Sequence, residues 1–298
     1  MAKLFGFVQF DFAGKLPLAD GRYLAGPGEG TEVGVPSGDW VLVLKTVGAA
    51  PLPGRRRRRR ARPAAAEPEP APVAVTKVMV IRASAPIANP AEAARWLDEA
   101  CEADDTVEVL VEEALAPLNR GLHAHAVAAE DPRGRELAPE GAERVLIGYG
   151  SGEETADGRF SDARQVDLAP GAASRRRARE EELQPQERVA GVLRGRQRLD
   201  ACETLLLRAR ADLDAGRERE AALQLRVGTE ALLVELEGAV EDPGHEADMG
   251  ALRDRQGEAV AAASSALAGE LDQDQRTQVE GLLALCERVL RRRRVLHG

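Results

Sequence analysis

Aromatic residues are scarce in this chain of 298 residues. They make up 3% of it, against 44% for apolar residues as a whole, and four of the five phenylalanines fall within the first twelve residues. Any core must therefore be built mainly from leucine, valine and alanine. A chain of this length suits two domains, each large enough to bury a core of its own.

Lysine is almost missing, because it supplies four of the 41 basic residues and arginine supplies the other 37. Together with the many alanines and glycines, this bias indicates a high-GC bacterial genome rather than a functional demand for guanidinium groups. Motifs that rest on arginine therefore carry less information in this chain than in most.

Cysteine is rare and its spacing is wide. Cys101, Cys202 and Cys286 form no CxxC pair and no Cys/His cluster with zinc-ligand spacing. Reduced thiols in a cytoplasmic protein are the expected state. Neither a cofactor nor a structural metal is expected.

Long apolar runs are missing as well. No stretch of about 18 apolar residues occurs, so no transmembrane helix is expected, and Gln9 and Asp11 interrupt the apolar N-terminus too early for a signal peptide. The net charge of −9 is uneven, since residues 73–173 are strongly acidic and residues 51–72 are basic. This distribution is not typical of a general nucleic-acid binder, which shows a basic face across a folded domain.

Residues 1–47 are predicted to form a small β segment. In LFGFVQFDF, Phe5 and Phe7 occupy odd positions and Phe10 and Phe12 even ones, so a strand would place the two pairs on opposite faces. A strand that is apolar on both faces, or one with a bulge near Gln9, explains this pattern. Strands at GRYL and WVLVLKTV follow. So small a segment is expected to pack on, or to join, the sheet of the next segment.

Residues 48–74 are predicted to form a disordered linker, because proline and alanine dominate it and consecutive arginines repel one another. The favoured interpretation of the arginine run is a solvated linker. The alternative is a phosphate-binding patch for nucleic acid. The run consists of Arg55, Arg56, Arg57, Arg58, Arg59 and Arg60.

Residues 75–170 are predicted to form an α+β domain. TKVMVIRA indicates a strand, and NPAEAARWLDEACE indicates a helix with Asn89 as N-cap and Pro90 at its first position. A second helix is expected to begin at Asp105 or Thr106 and to contain Pro117. Two more strands are expected at ERVLIGYG and FSDARQVDL. The expected fold class here is α+β with a small mixed sheet.

Residues 175–298 are predicted to form an all-α antiparallel helical bundle. Four helices are predicted over 185–215, 217–240, 249–270 and 272–297, because apolar residues recur at spacings of three and four residues and short turns separate the ranges. A protein partner, or self-association through these C-terminal helices, is the expected interaction.

The stretch LNRGLHAHAVAAED holds two of the four histidines. On a regular helix His123 and His125 project about 200° apart, so both cannot reach one metal ion. We expect His125 to be partly buried and hydrogen-bonded, and His123 to be exposed with Asn119 or acidic side chains near Glu113 as partners.

GYGSGEETADG follows a predicted strand and superficially resembles a phosphate loop. Two of its residues are glutamates, which would repel phosphate, so a tight turn is the expected structure. Tyr149 and Glu153 are its only reactive-looking side chains. An enzyme could use a site between residues 118–125 and 148–154, with His123 as the acid–base group and Glu153 orienting it.

An Arg-x4-His spacing occurs twice, from Arg120 to His125 and from Arg292 to His297. The spacing resembles the one associated with the HEPN ribonuclease family, which places its motif on a helix of a helical bundle, as Arg292 and His297 are predicted to be. The resemblance implies RNA cleavage. Arg293 departs from the small polar residue that usually follows the arginine in that family.

The favoured hypothesis is a non-enzymatic cytoplasmic adaptor that binds a partner or self-associates. RNA binding or cleavage, and small-molecule catalysis, are the alternatives. The adaptor hypothesis predicts that alanine at His123, His125 and Tyr149 leaves function intact, whereas a charge at Leu225 or Leu283 disrupts assembly.

Overall fold

The computed structural model describes residues 3–26, 40–48, 74–168, 188–238 and 242–297. The chain divides into two compact units, Met1–Ala169 and Pro170–Gly298. The Arg55–Arg60 run and nearly all of the predicted linker lie outside the described residues. Among the described helices, none combines the length and apolarity that a membrane span requires.

The first unit is built on one six-stranded sheet in the order β2-β3-β4-β1-β5-β6. All five ladders are antiparallel, and an isolated parallel bridge joins Gly14 to Val75. β1 to β3 thus share a sheet with the later strands, which is one of the two arrangements expected for residues 1–47. The strands are β1 (Leu4–Ala13), β2 (Gly21–Ala25), β3 (Trp40–Val47), β4 (Val75–Ile87), β5 (Ala142–Ser151) and β6 (Asp162–Val166).

β1 lies in the middle of the sheet and is apolar on both faces, as predicted. Phe10 and Phe12 are buried in the main core, whereas Phe7 is buried in a smaller cluster on the opposite face. The register with β4 shifts between Phe5 and Phe7, and the register with β5 shifts between Asp11 and Phe12. Both ladders are continuous at Gln9 itself.

Two helices pack on the main-core face, α1 (Pro90–Ala100) and α2 (Asp104–Ala128). The Asn89 side chain accepts a hydrogen bond of 3.0 Å from the backbone N–H of Glu92, which confirms the predicted N-cap. α2 begins earlier than predicted, with Ala103 rather than Asp105 or Thr106 in the N-cap position. Pro117 lies inside this helix, as expected.

The opposite face carries a short helix, α3 (Gly152–Ala156), over the cluster of Phe7, Met79 and Ile81. The tight turn expected in GYGSGEETADG is therefore wrong, because β5 continues to Ser151 and the helix begins at Gly152. The glycines before it are explained by close packing, since a Cβ atom at Gly148 would lie 2.5 Å from the carbonyl oxygen of Asp162.

The described residues of the second unit include four long helices, and side-chain contacts show that consecutive helices are antiparallel. The backbone N–H of Cys202, at the start of α4, bonds to Glu235 at the end of α5. Asp248, near the start of α6, pairs with Arg288 and Arg292 near the end of α7. The helices are α4 (Ala201–Asp214), α5 (Glu218–Glu235), α6 (Pro243–Ala268) and α7 (Gln273–His297).

The prediction of one continuous helix over 185–215 is wrong. Residues 188–193 are helical, but the chain then turns through Gly195, whose φ of 68° is left-handed, before α4 begins. Glycine adopts this conformation without a Cβ penalty. Asp200 and Glu203 then start α4, because the Asp200 N–H donates to the Glu203 carboxylate.

Candidate functional site

The histidine stretch lies on the second half of α2. His123 is exposed and His125 is half-buried, as expected. The Asn119 amide does not pair with His123, because its oxygen and nitrogen bond the backbone N–H and carbonyl of Leu137 at 2.8 and 2.9 Å. Asn119 therefore anchors the loop at Leu137 to α2.

Tyr149 and Glu153 are close in sequence but lie in different environments. Tyr149 is buried in the main core, on the face that α1 and α2 cover. The Glu153 side chain on α3 is 86% exposed and bonds Nη1 of Arg22 at 2.7 Å. Since α3 covers the opposite face, the sheet lies between Glu153 and the helix that carries His123. The structure does not bring these residues together.

The described parts of the chain show no cluster of potential metal-ligating side chains. No group of three or more His, Cys, Asp or Glu side chains there is placed to hold a metal ion.

The arginines of the two Arg-x4-His pairs are engaged within their own units. Arg120 donates to the carbonyl of Gly26 at 2.9 Å, and burial lowers the pKa of its guanidinium. Arg292 bonds Asp248 at 3.1 Å and lies 3.7 Å from Asp242. Two carboxylates thus neutralise Arg292, which weakens its attraction for a phosphate. The side chain of His297 lies outside the described part of the structure.

A cavity of about 330 Å³ opens in the first unit where β1 begins and β4 ends. Both tryptophans of the chain, Trp40 at the start of β3 and Trp96 on α1, contribute to its wall. Pro86, Ile87 and Leu110 supply further apolar surface. Sequence analysis predicted the helix that carries Trp96 but not this site.

Gly6 positions one wall of this cavity. A Cβ atom built at Gly6 would lie 2.6 Å from Cη2 of Trp96, so the indole rests against the β1 backbone. Only glycine leaves room for this contact, which explains a glycine inside a central strand. The register shift between β1 and β4 lies at the same place.

Arg82 and Glu92 are the charged residues among the described lining. The Arg82 guanidinium carbon lies 5.6 Å from the Trp40 ring centroid, within cation–π range. Its Nη1 approaches Glu113 only to 3.9 Å. The Nε atom of Arg82 is buried and has no hydrogen-bond partner among the described residues.

The outer face of α5 carries exposed valines. Val227 and Val234 are 50% and 77% exposed, and two helical turns separate them, so they share one face. Leu223, half-buried, continues the row one turn earlier. Glu230 lies between Val227 and Val234 on the same face, and Arg226 beside the row bonds it at 3.2 Å. We call Leu223, Val227 and Val234 the α5 stripe.

Comparison with known protein families, curated proteins and solved structures found nothing similar to this chain.

Proposed function

We propose that this protein is a non-enzymatic cytoplasmic adaptor that self-associates, and that the α5 stripe of one copy pairs with the same stripe of a second. The exposed valines of the stripe carry the proposal, because apolar side chains at two-turn spacing on the outer face of a helix form a seam for another helix. A reducing compartment suits the three free thiols.

The stripe is self-complementary when two α5 helices pair antiparallel about a two-fold axis between Gly228 and Thr229. Leu223 of one copy then faces Val234 of the other, and Val227 faces the aliphatic part of Glu230. Arg226 of one copy comes beside Glu230 of the other, so an arginine compensates the charge of the glutamate that lies in the seam. A two-fold interface requires such a match of one surface with itself.

The proposed dimer is weak. An 18-residue helix is about 27 Å long, and one helix pair of this length buries an area at the lower end for specific complexes, below about 1,200 Å². Interfaces of this size are typical of transient association. We therefore expect a dissociation constant in the micromolar range.

Substituting the stripe tests the proposal directly. The double variant Val227→Glu/Val234→Glu should be a monomer at concentrations where the wild type is dimeric, because the carboxylate introduced at position 227 would face Glu230 of the other copy and the one introduced at position 234 would face Leu223. Sedimentation velocity measures the distribution. The matched control is Val109→Glu, since Val109 is a 56% exposed helical valine of the other unit. Dimerisation that survives the double variant, or that the control abolishes, contradicts the proposal.

The residues first expected to report on assembly cannot serve this purpose. Leu225 and Leu283 are fully buried in the helical core. A charge at either position would unfold the second unit instead of probing its surface, since an unpaired buried charge costs several kcal/mol.

RNA binding or cleavage and small-molecule catalysis stay predictions. The residues proposed for catalysis are held apart, and the arginine run lies outside the described residues.

A further inference from the structure

We infer that the cavity lined by Trp40 and Trp96 binds a small, planar, uncharged molecule that has an aromatic ring and one hydrogen-bond acceptor. This binding site is in the first unit and does not depend on the α5 stripe. Its failure and the failure of self-association are therefore separate results.

The walls select an aromatic molecule. Two indoles and the aliphatic side chains of Pro86, Ile87 and Leu110 offer flat and apolar surfaces. Aromatic rings gain from offset or edge-to-face contact with indole beyond the burial of area. The volume of about 330 Å³ lies at the lower end of small-molecule sites, about 300–1,000 Å³. A molecule of one or two rings fits this space.

The polar lining selects an uncharged molecule with an acceptor. The Arg82 side chain lines the cavity and is 35% exposed, and its Nη1 lies 3.9 Å from Glu113, beyond hydrogen-bond distance, so an oxygen or nitrogen acceptor that enters the cavity can bond the guanidinium. Arg82 and Glu92 carry opposite charges. An anion would be repelled by Glu92 and also by Glu113 beside Arg82, whereas a cation would be repelled by Arg82.

The aromatic walls are held in place before any ligand binds. The Arg82 guanidinium lies over the Trp40 ring, and the β1 backbone at Gly6 supports the Trp96 indole. The Asn89 cap fixes the first turn of α1, from which Glu92 and Trp96 extend one turn apart. A site ordered in advance loses less entropy on binding than one that must be assembled.

Tryptophan fluorescence of the full chain tests the inference, because the two tryptophans are both in the cavity wall and no other tryptophan contributes. The probe is benzamide, an uncharged ring with a carbonyl acceptor. Benzoate and cyclohexanecarboxamide are its matched comparisons, since one adds a charge and the other lacks the aromatic ring. We expect a saturable change with benzamide, and binding of each comparison at least about tenfold weaker.

Three variants locate the binding. Arg82→Met should weaken benzamide binding at least about tenfold by removing the donor. Gly6→Ala should weaken it by displacing the Trp96 indole. Arg159→Met removes an exposed arginine away from the cavity and should change nothing.

Circular dichroism of each variant separates loss of binding from loss of fold. If Arg82→Met does not fold, the Gly6→Ala variant and the two comparison compounds test whether benzamide binds in the cavity. No saturable change with benzamide overturns the inference, and so does equal binding of benzoate or equal binding by a folded Arg82→Met variant.

Discussion

At the scale of the residue, the first unit contains a buried carboxylate that depends on its neighbours. Asp11 points away from the main core on β1 and is almost fully buried. Nη2 of Arg144 donates to it at 2.6 Å, and the Gln9 amide donates at 2.8 Å. The alternation that buries Phe10 and Phe12 on one face places Asp11 on the other, so its charge must be compensated there.

Arg144→Met should lower the free energy of unfolding by about 1–3 kcal/mol, because a buried carboxylate then loses its charged donor. Urea denaturation monitored by circular dichroism measures the change. Arg159→Met is the control, since that side chain is largely exposed. A double variant, Asp11→Leu/Arg144→Met, should recover most of the loss. If Arg144→Met were as stable as the wild type, the Asp11 carboxylate would be hydrogen-bonded to solvent and the prediction would be wrong.

The three thiols should differ in reactivity. Burial raises the pKa of Cys202 to about 12 and that of Cys286 to about 11. The half-exposed Cys101 has a pKa that burial also raises. With Ellman's reagent at about pH 8, Cys101 should react first and the other two only as the helical unit unfolds. Cys101→Ser should therefore abolish the early phase, and an early phase that survives this change contradicts the assignment.

Local chemistry made some residues predictable and left others out of reach. The Asn89 cap follows from an asparagine, a proline and an apolar stripe that are adjacent in sequence. The contact of Trp96 with Gly6 joins residues 90 positions apart, so it depends on which strands pair. Tyr149 looked reactive beside its glycines, but strand alternation places it in the core. The tertiary contacts, rather than the local pattern, decide such positions.

At the scale of the element, helix ends decide the architecture of the second unit. The spacing of apolar residues across 185–215 predicted one unbroken helix. In the structure a short helix ends before Gly195, and the Asp200–Glu203 pair begins α4. These short signals could have been found in the sequence. The role of Glu235 could not have been found in the sequence, because this residue lies at the end of α5 and accepts hydrogen bonds from the start of α4 only in the folded unit.

Glu235 should make the helical unit sensitive to acid. Its carboxylate accepts the N–H of Cys202 at 2.9 Å and of Ala201 at 3.1 Å, and these bonds lower its pKa below the ordinary 4.5. A lowered pKa stabilises the fold above the ordinary value, and that contribution is lost as the pH falls through the folded-state pKa. The urea midpoint of the wild type should fall as the pH drops below about 4.5, and this fall should be smaller in Glu235→Gln.

The matched control for this acid dependence is Glu237→Gln, an exposed glutamate two residues later. It should leave the pH profile of the urea midpoint unchanged. An unchanged profile for Glu235→Gln as well would mean that other carboxylates govern the response to acid.

At the scale of the whole molecule, the chain consists of two units with separate cores and separate proposed roles. The first offers an aromatic cavity, and the second offers a self-complementary helix face. The α+β region and the helical bundle were predictable from hydrophobic periodicity, because burial alone imposes those patterns. Neither candidate site was predictable, since the cavity depends on strand order and the α5 stripe depends on which helix face the bundle leaves exposed.

Light scattering across a concentration series of the full chain tests the central claim most directly. We predict a molar mass that rises from 31.9 kDa towards twice that value as the concentration passes through the micromolar range, and that stays at 31.9 kDa for Val227→Glu/Val234→Glu. A wild-type mass that stays at the monomer value over the whole series would contradict self-association through the α5 stripe.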